Sequence, residues 1–201
     1  MSPTLVLVLA VLAVTYAGPV IRLATAPALA IAFWRLALVL PVTLALAWRE
    51  RAEAGRWERP GRDTLLLMLL AGVLLALHFW TWIASLRFTS VASSLLLVSL
   101  KPLFVWAIAA LWLGEHPGRR ERWGIVLAVA GATLIGAGDA RLSGRALAGD
   151  LLAVAGAVTV AGYYVIGRRV RQSVTVWRYV TPVYVTAALV LGIVAAATRA
   201  P

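Results

Sequence analysis

The chain contains no cysteine. That excludes a disulfide framework, a thiolate metal site and a cysteine nucleophile. Histidine is nearly absent: His78 and His116 stand 38 residues apart, too sparse for a histidine metal cluster. Acids are scarce, with eight Asp and Glu against nineteen Lys and Arg. Charged residues make up only 13% of the chain, where a soluble domain carries about 25%.

What fills the space is apolar. Hydrophobic residues account for 62% of the 201 positions, and mean hydropathy is +0.90. One soluble core of this size cannot hide so much apolar surface. A soluble enzyme, a disordered chain and a fibrous protein are excluded on composition, which leaves a polytopic membrane protein. The net charge of +11 would suggest nucleic acid in a soluble chain. Here the arginines fall between apolar runs, so membrane topology accounts for them and no nucleic-acid partner is expected.

A membrane-spanning helix needs about 20 apolar residues. Seven segments qualify: 4–22, 27–48, 64–87, 90–113, 123–138, 149–167 and 175–198. No cleaved signal peptide is expected, since Met1-Ser2-Pro3 lacks a basic leader. Eleven arginines lie in the loops after spans two, four and six, and five lie on the opposite side. The excess of Lys and Arg in cytoplasmic loops then predicts a cytoplasmic N-terminus.

An internal repeat is visible. Ala13-Val14-Thr15-Tyr16-Ala17-Gly18 in span one matches Ala157-Val158-Thr159-Val160-Ala161-Gly162 in span six, at an offset of 144. Trp34-Arg35 in span two matches Trp177-Arg178 in span seven, at an offset of 143. An odd number of spans separates the copies, so the second crosses the membrane in the opposite direction. Such inverted repeats are a signature of secondary transporters.

Several short motifs occur in order along the chain. They are Phe33-Trp34-Arg35, Leu77-His78-Phe79, Leu86-Arg87-Phe88-Thr89-Ser90, Pro102-Leu103-Phe104, Leu113-Gly114-Glu115, Trp123-Gly124-Ile125 with Ala130-Gly131, and Gly149-Asp150-Leu151-Leu152. In these the chain resembles the drug/metabolite transporter superfamily, in particular proteins with paired EamA-type domains. The resemblance implies an all-α, polytopic transmembrane helical bundle built as an inverted five-helix repeat. It implies a first repeat over residues 1–138, a loop at 139–148 and the start of a second repeat at 149–201. Proteins of this type usually have ten spans, so the second repeat is incomplete here. It also implies an alternating-access transporter in the inner (plasma) membrane. The alternative is a non-transporting scaffold, or a half-module that needs a partner chain. The expected partners are the bilayer, a small-molecule substrate, and a second chain or copy completing the bundle.

Lys101 lies near the middle of span four, directly before Pro102. An ionisable group at that depth costs about 2.5–3.5 kcal/mol on insertion scales and marks a functional position by default. Its alternative is a lysine that snorkels or pairs quietly with carbonyls. His78, Trp82 and Ser85 share one face of span three. Imidazole beside indole suits a polar, flat or cationic moiety, or a proton; alternatively His78 bonds a neighbouring helix. Arg35 either serves the site or snorkels to the interface. The eight acids lie in loops or at span ends, leaving Arg35, His78 and Lys101 without an interior carboxylate. Buried charges need partners, so the missing partner is a substrate anion, a carboxylate from absent helices, or none where Lys101 is neutral. The first of these predicts an electropositive cavity suited to an anionic or carboxylate-bearing metabolite.

The expected substrate contacts are Tyr16, His78, Trp82, Ser94, Lys101 and Tyr163, with Arg35 and Glu115 as charge or gating residues. Tyr16 and Tyr163 sit on the paired repeat helices, and Ser94 lies seven residues before Lys101. Tyr164 and Tyr184 serve equally as interfacial anchors. Gly156, Gly162 and Gly167 in span six and Gly131, Gly136 and Gly138 in span five are expected to permit close helix approach. No nucleophile–base pair, zinc motif or phosphate-cradling loop is present, so no catalytic residue, metal or cofactor is expected.

Overall fold

The structure is a computed structural model describing residues 2–54, 60–114 and 118–198. Every element is an α-helix. In chain order these are α1 (Pro3–Thr15), α2 (Ala17–Leu23), α3 (Ala28–Ala37), α4 (Leu40–Ala54), α5 (Arg62–Ser85), α6 (Val91–Val98), α7 (Lys101–Leu113), α8 (Arg119–Leu142), α9 (Gly144–Val170) and α10 (Val176–Ala197).

Three expected spans are each split into two helices, and proline explains each split. Proline has no N–H to donate and its ring crowds the preceding turn. The break at Tyr16 precedes Pro19, that at Leu38–Val39 precedes Pro41, and that at Ser99–Leu100 precedes Pro102. Pro182 sits inside α10 without interrupting it. Among the described residues five segments are long and apolar enough to cross a membrane: Ala28–Ala54, Arg62–Ser85, Val91–Trp112, Gly144–Val170 and Val176–Ala197.

The stretch 139–148, expected as a loop, is helical on both sides of Ser143. Ser143 is extended and its hydroxyl accepts the Ala146 N–H, so it caps α9. The longer helix also changes the reading of Asp150. Placed at a span end in the sequence, it stands six residues after Gly144 and is buried, at 4% exposure.

Helix α9 lies antiparallel to α5 at the centre. Three glycines of α9 mark the seam. Cβ atoms placed on them would meet Thr89 at Gly149, Thr81 and Trp82 at Gly156, and Leu74 at Gly162. As α9 advances, its partners on α5 recede. Lipid gives helices no hydrophobic reason to associate, so small residues that allow close van der Waals contact set such seams. Gly167 likewise admits the Tyr179 ring of α10. Gly131 and Gly138 of α8 meet nothing within 4 Å, so the expected close approach is absent there.

Helices α3–α4 and α10, paired in the expected repeat, are neighbours and run antiparallel. Phe33 lies against Gly192, and Thr181 donates to the Thr43 carbonyl at 3.1 Å. The other pair also runs in opposite directions. Arg22, at the end of α2, donates to the Thr89 carbonyl, while Gly149, near the start of α9, packs on the same residue. One end of the bundle gathers Arg49, Arg51, Arg62, Arg119, Arg120, Arg122, Arg168, Arg169 and Arg171. The opposite end is braced reciprocally: Arg22 bonds the segment after α5, and Arg87 donates to the Ala24 and Ala26 carbonyls.

Candidate functional site

Two groups of side chains stand out, at different depths. The first lies seven residues from the sparsely charged end of its helices. Arg35 is seven residues after Ala28, and His78 is seven before Ser85. The Arg35 guanidinium carbon lies 5.2 Å from the Phe79 ring centroid and 5.4 Å from that of Trp82. Both distances fall within cation–π range. Phe79 and Trp82 project together because residues three apart on a helix share a face.

His78 stacks on Trp82 with centroids 6.0 Å apart and planes 4° apart. Its Nδ1 stands 2.8 Å from the Gly156 carbonyl oxygen. A carbonyl only accepts, so Nδ1 carries the proton in that bond and the neutral ring keeps Nε2 as acceptor. The glycine at 156 makes the bond reachable: a Cβ there would stand 3.2 Å from Thr81 Oγ1. Arg35 and Lys101 both lie within electrostatic reach of His78, and Tyr184 within reach of Arg35.

The second group surrounds a cavity of about 910 Å³ between α7, α8 and α9. Lys101, Trp106, Glu121, Ile125, Tyr164 and Arg168 are among its walls. Lys101 stands ten residues after Val91 and eleven before Trp112, at the middle of its span. Glu121 and Arg168 lie at the arginine-rich end. The cavity therefore reaches from that end to the centre of the bundle. The Trp106 indole nitrogen is buried without a hydrogen-bond partner, and the Glu121 carboxylate accepts the Gly118 N–H. A smaller hollow of about 400 Å³ shares Tyr164 and Arg168 and adds Arg171, Gln172 and Tyr179.

The expected residues divide accordingly. His78, Trp82 and Arg35 come together in one cluster, and Lys101 lines the large cavity. Tyr163 lies beside the small hollow, its ring 6.2 Å from that of Tyr179 and its carbonyl accepting the Tyr179 hydroxyl at 3.3 Å. Ser94 is fully buried and does not line the cavity; its hydroxyl is 2.7 Å from that of Ser85, which donates to the Trp82 carbonyl. Tyr16 is 66% exposed at the α1–α2 break, away from both groups. Glu115 lies outside the described residues.

Sequence reading missed Phe79, Trp106 and Arg168. Phe79 carried a signal, since it is three residues before Trp82. Arg168 carried one too, four residues after Tyr164 on the same face of α9. Trp106 carried none, because which helices enclose it depends on tertiary packing.

Long apolar helices and proline-split spans define a polytopic helical membrane protein. Residues 1–137 match the EamA-like transporter family. The match covers more than half of the chain, and the chain belongs to that family. Its members are membrane transporters of the drug/metabolite type rather than enzymes. Neither the curated proteins nor the solved structures give a match.

Proposed function

We propose that this chain is a secondary transporter that moves a small carboxylate-bearing metabolite across the inner (plasma) membrane by alternating access. The observation that supports this reading is the placement of Lys101. It puts a cation halfway through the bundle, on the wall of a cavity that reaches Arg168 and Glu121 at the arginine-rich end. A cation at that depth is costly unless an anion or water meets it. The arginine-rich end then faces the cytoplasm, by the same rule that places the N-terminus there. Residues 1–138 form the first repeat and α9–α10 begin the second.

A second reading has its own support. Leu5, Val6, Leu7, Val8, Leu9, Val11 and Leu12 of α1 are all between 47% and 63% exposed. A second chain or copy covering α1 would complete the bundle, and a half-module of this kind carries no flux alone.

The test is solute flux into liposomes holding the purified chain. Saturable uptake of a carboxylate metabolite supports transport; a scaffold or lone half-module gives none. A hydrogen bond to a charged group is worth about 1.5–3 kcal/mol, so Lys101→Met is expected to lower carboxylate flux about ten- to a hundredfold. Unchanged flux of every anionic solute in that variant refutes the anionic assignment.

A further inference from the structure

We infer that Arg35 and the Trp82 indole form a binding station for the transported carboxylate, and that this carboxylate is carried on a flat apolar body. The inference rests on reading the chain as a transporter.

Three observations carry it. First, the Arg35 guanidinium lies over the Phe79 and Trp82 rings, neither of which offers its N–H groups a conventional acceptor. Its N–H groups make no hydrogen bond or ion pair among the described residues. Second, Trp82 is 6% exposed, and its indole nitrogen is buried without an acceptor. Third, His78 is held by Gly156 and stacks with its ring parallel to that of Trp82, which fixes the indole in place.

The Arg35 and Trp82 N–H groups are therefore donors without acceptors, beside the one free acceptor of His78 Nε2. An unmade buried hydrogen bond costs more than a made one gains, so such an arrangement calls for a ligand that brings acceptors. A guanidinium edge matches two oxygens held in a plane, which is the geometry of a carboxylate. The indole N–H suits a further lone pair of the same group. One guanidinium supplies one positive charge, which suits a monoanion. The rings of Phe79, Trp82 and His78 favour a flat, apolar remainder, since aromatic faces stack on such bodies.

The probes are benzoate, its neutral counterpart benzamide, and acetate, which has the carboxylate without the ring. Each is measured for equilibrium binding to the whole chain in lipid nanodiscs and for flux in liposomes. Benzoate is expected to bind more tightly than either of the others. Arg35→Lys is expected to weaken benzoate binding about tenfold, because a point charge replaces a two-bond fork. Trp82→Phe keeps an aromatic ring but removes the N–H together with part of the ring surface; it is expected to weaken benzoate severalfold and benzamide, which shares only the stacking, clearly less. A melting measurement on each variant separates lost binding from lost fold. Where Arg35→Lys does not fold, Trp82→Phe decides alone.

Benzoate binding that is the same in wild type and both variants overturns the assignment. So does a wild type that prefers benzamide or acetate. If the chain moves some other solute saturably while either result holds, the transporter reading stands and only the station falls. If it binds and moves nothing, both fall together.

Discussion

Gly72→Ala offers the most direct test of how the bundle is packed. Gly72 lies on α5 where α10 crosses it. A Cβ there would stand 2.5 Å from Thr186 Cβ, 2.8 Å from Thr186 Cγ2 and 2.8 Å from the Val183 carbonyl oxygen. Carbon atoms rest at about 3.5–4.0 Å, so the gap is short by about 1 Å. Thr186 cannot turn away freely, because its hydroxyl donates to the Pro182 carbonyl at 2.8 Å. Val183 presents backbone, so α10 as a whole must move. Overpacking of this kind costs about 1–3 kcal/mol. Alanine also favours a helix over glycine by up to about 1 kcal/mol, which acts the other way. Gly131→Ala makes the control, since nothing lies within 4 Å of that site. The propensity gain is common to both variants, so their difference isolates the steric term at about 1–3 kcal/mol. Unfolding in graded SDS, followed by the fluorescence of the nine tryptophans, gives both stabilities. Two variants equal within about 0.5 kcal/mol, the usual noise of an inconsequential substitution, would refute the α5–α10 contact.

Two further predictions concern the same bundle. The Ser85–Ser94 hydroxyl pair, at 2.7 Å and fully buried, ties α6 to α5. A double-mutant cycle of the two alanine variants should show a coupling of about 0.6 kcal/mol, the average for hydrogen bonds between membrane helices; a coupling indistinguishable from zero refutes the tie. Orientation is testable because the chain is naturally free of cysteine. Gln172→Cys should react with an impermeant maleimide only from the cytoplasmic side, and Ala148→Cys only from the other; the reverse pattern inverts the proposed topology.

Much of the bundle was legible before any coordinates. Apolar runs locate five of the seven expected spans, because a bilayer demands about 20 such residues in a row; 4–22 and 123–138 are not among the described segments long and apolar enough to cross. Prolines 19, 41 and 102 account for the three breaks, through the hydrogen bond each cannot donate. His78 with Trp82 was legible from helical spacing alone. What was not legible depends on which helices meet. Gly156 and Gly131 read alike in sequence, yet one lies on the α5 seam and the other on open space. Asp150 reads as a span-end acid, and becomes buried because α9 begins at Gly144 and packs Gly149 on Thr89. The cavity at Lys101 is enclosed by three consecutive helices, α7, α8 and α9, and no local pattern announces the angles at which they pack.

The positions of the two inward cations relative to the breaks link binding to movement. Lys101 is the first residue of α7, directly after the Ser99–Leu100 break. Arg35 lies three residues before the Leu38–Val39 break. A ligand shifts a conformational equilibrium only by its differential affinity for the two states. A cation fixed deep in a straight, well-packed helix would meet its anion in much the same way in both. A cation beside a proline break moves when the half-helices change angle, because the missing hydrogen bond makes that joint the soft point. If the chain carries an anion, its binding at Lys101 or Arg35 acts on the joint itself. On the transporter reading, the same three features, proline, break and adjacent cation, recur on two spans so that charge recognition and hinge motion are one event.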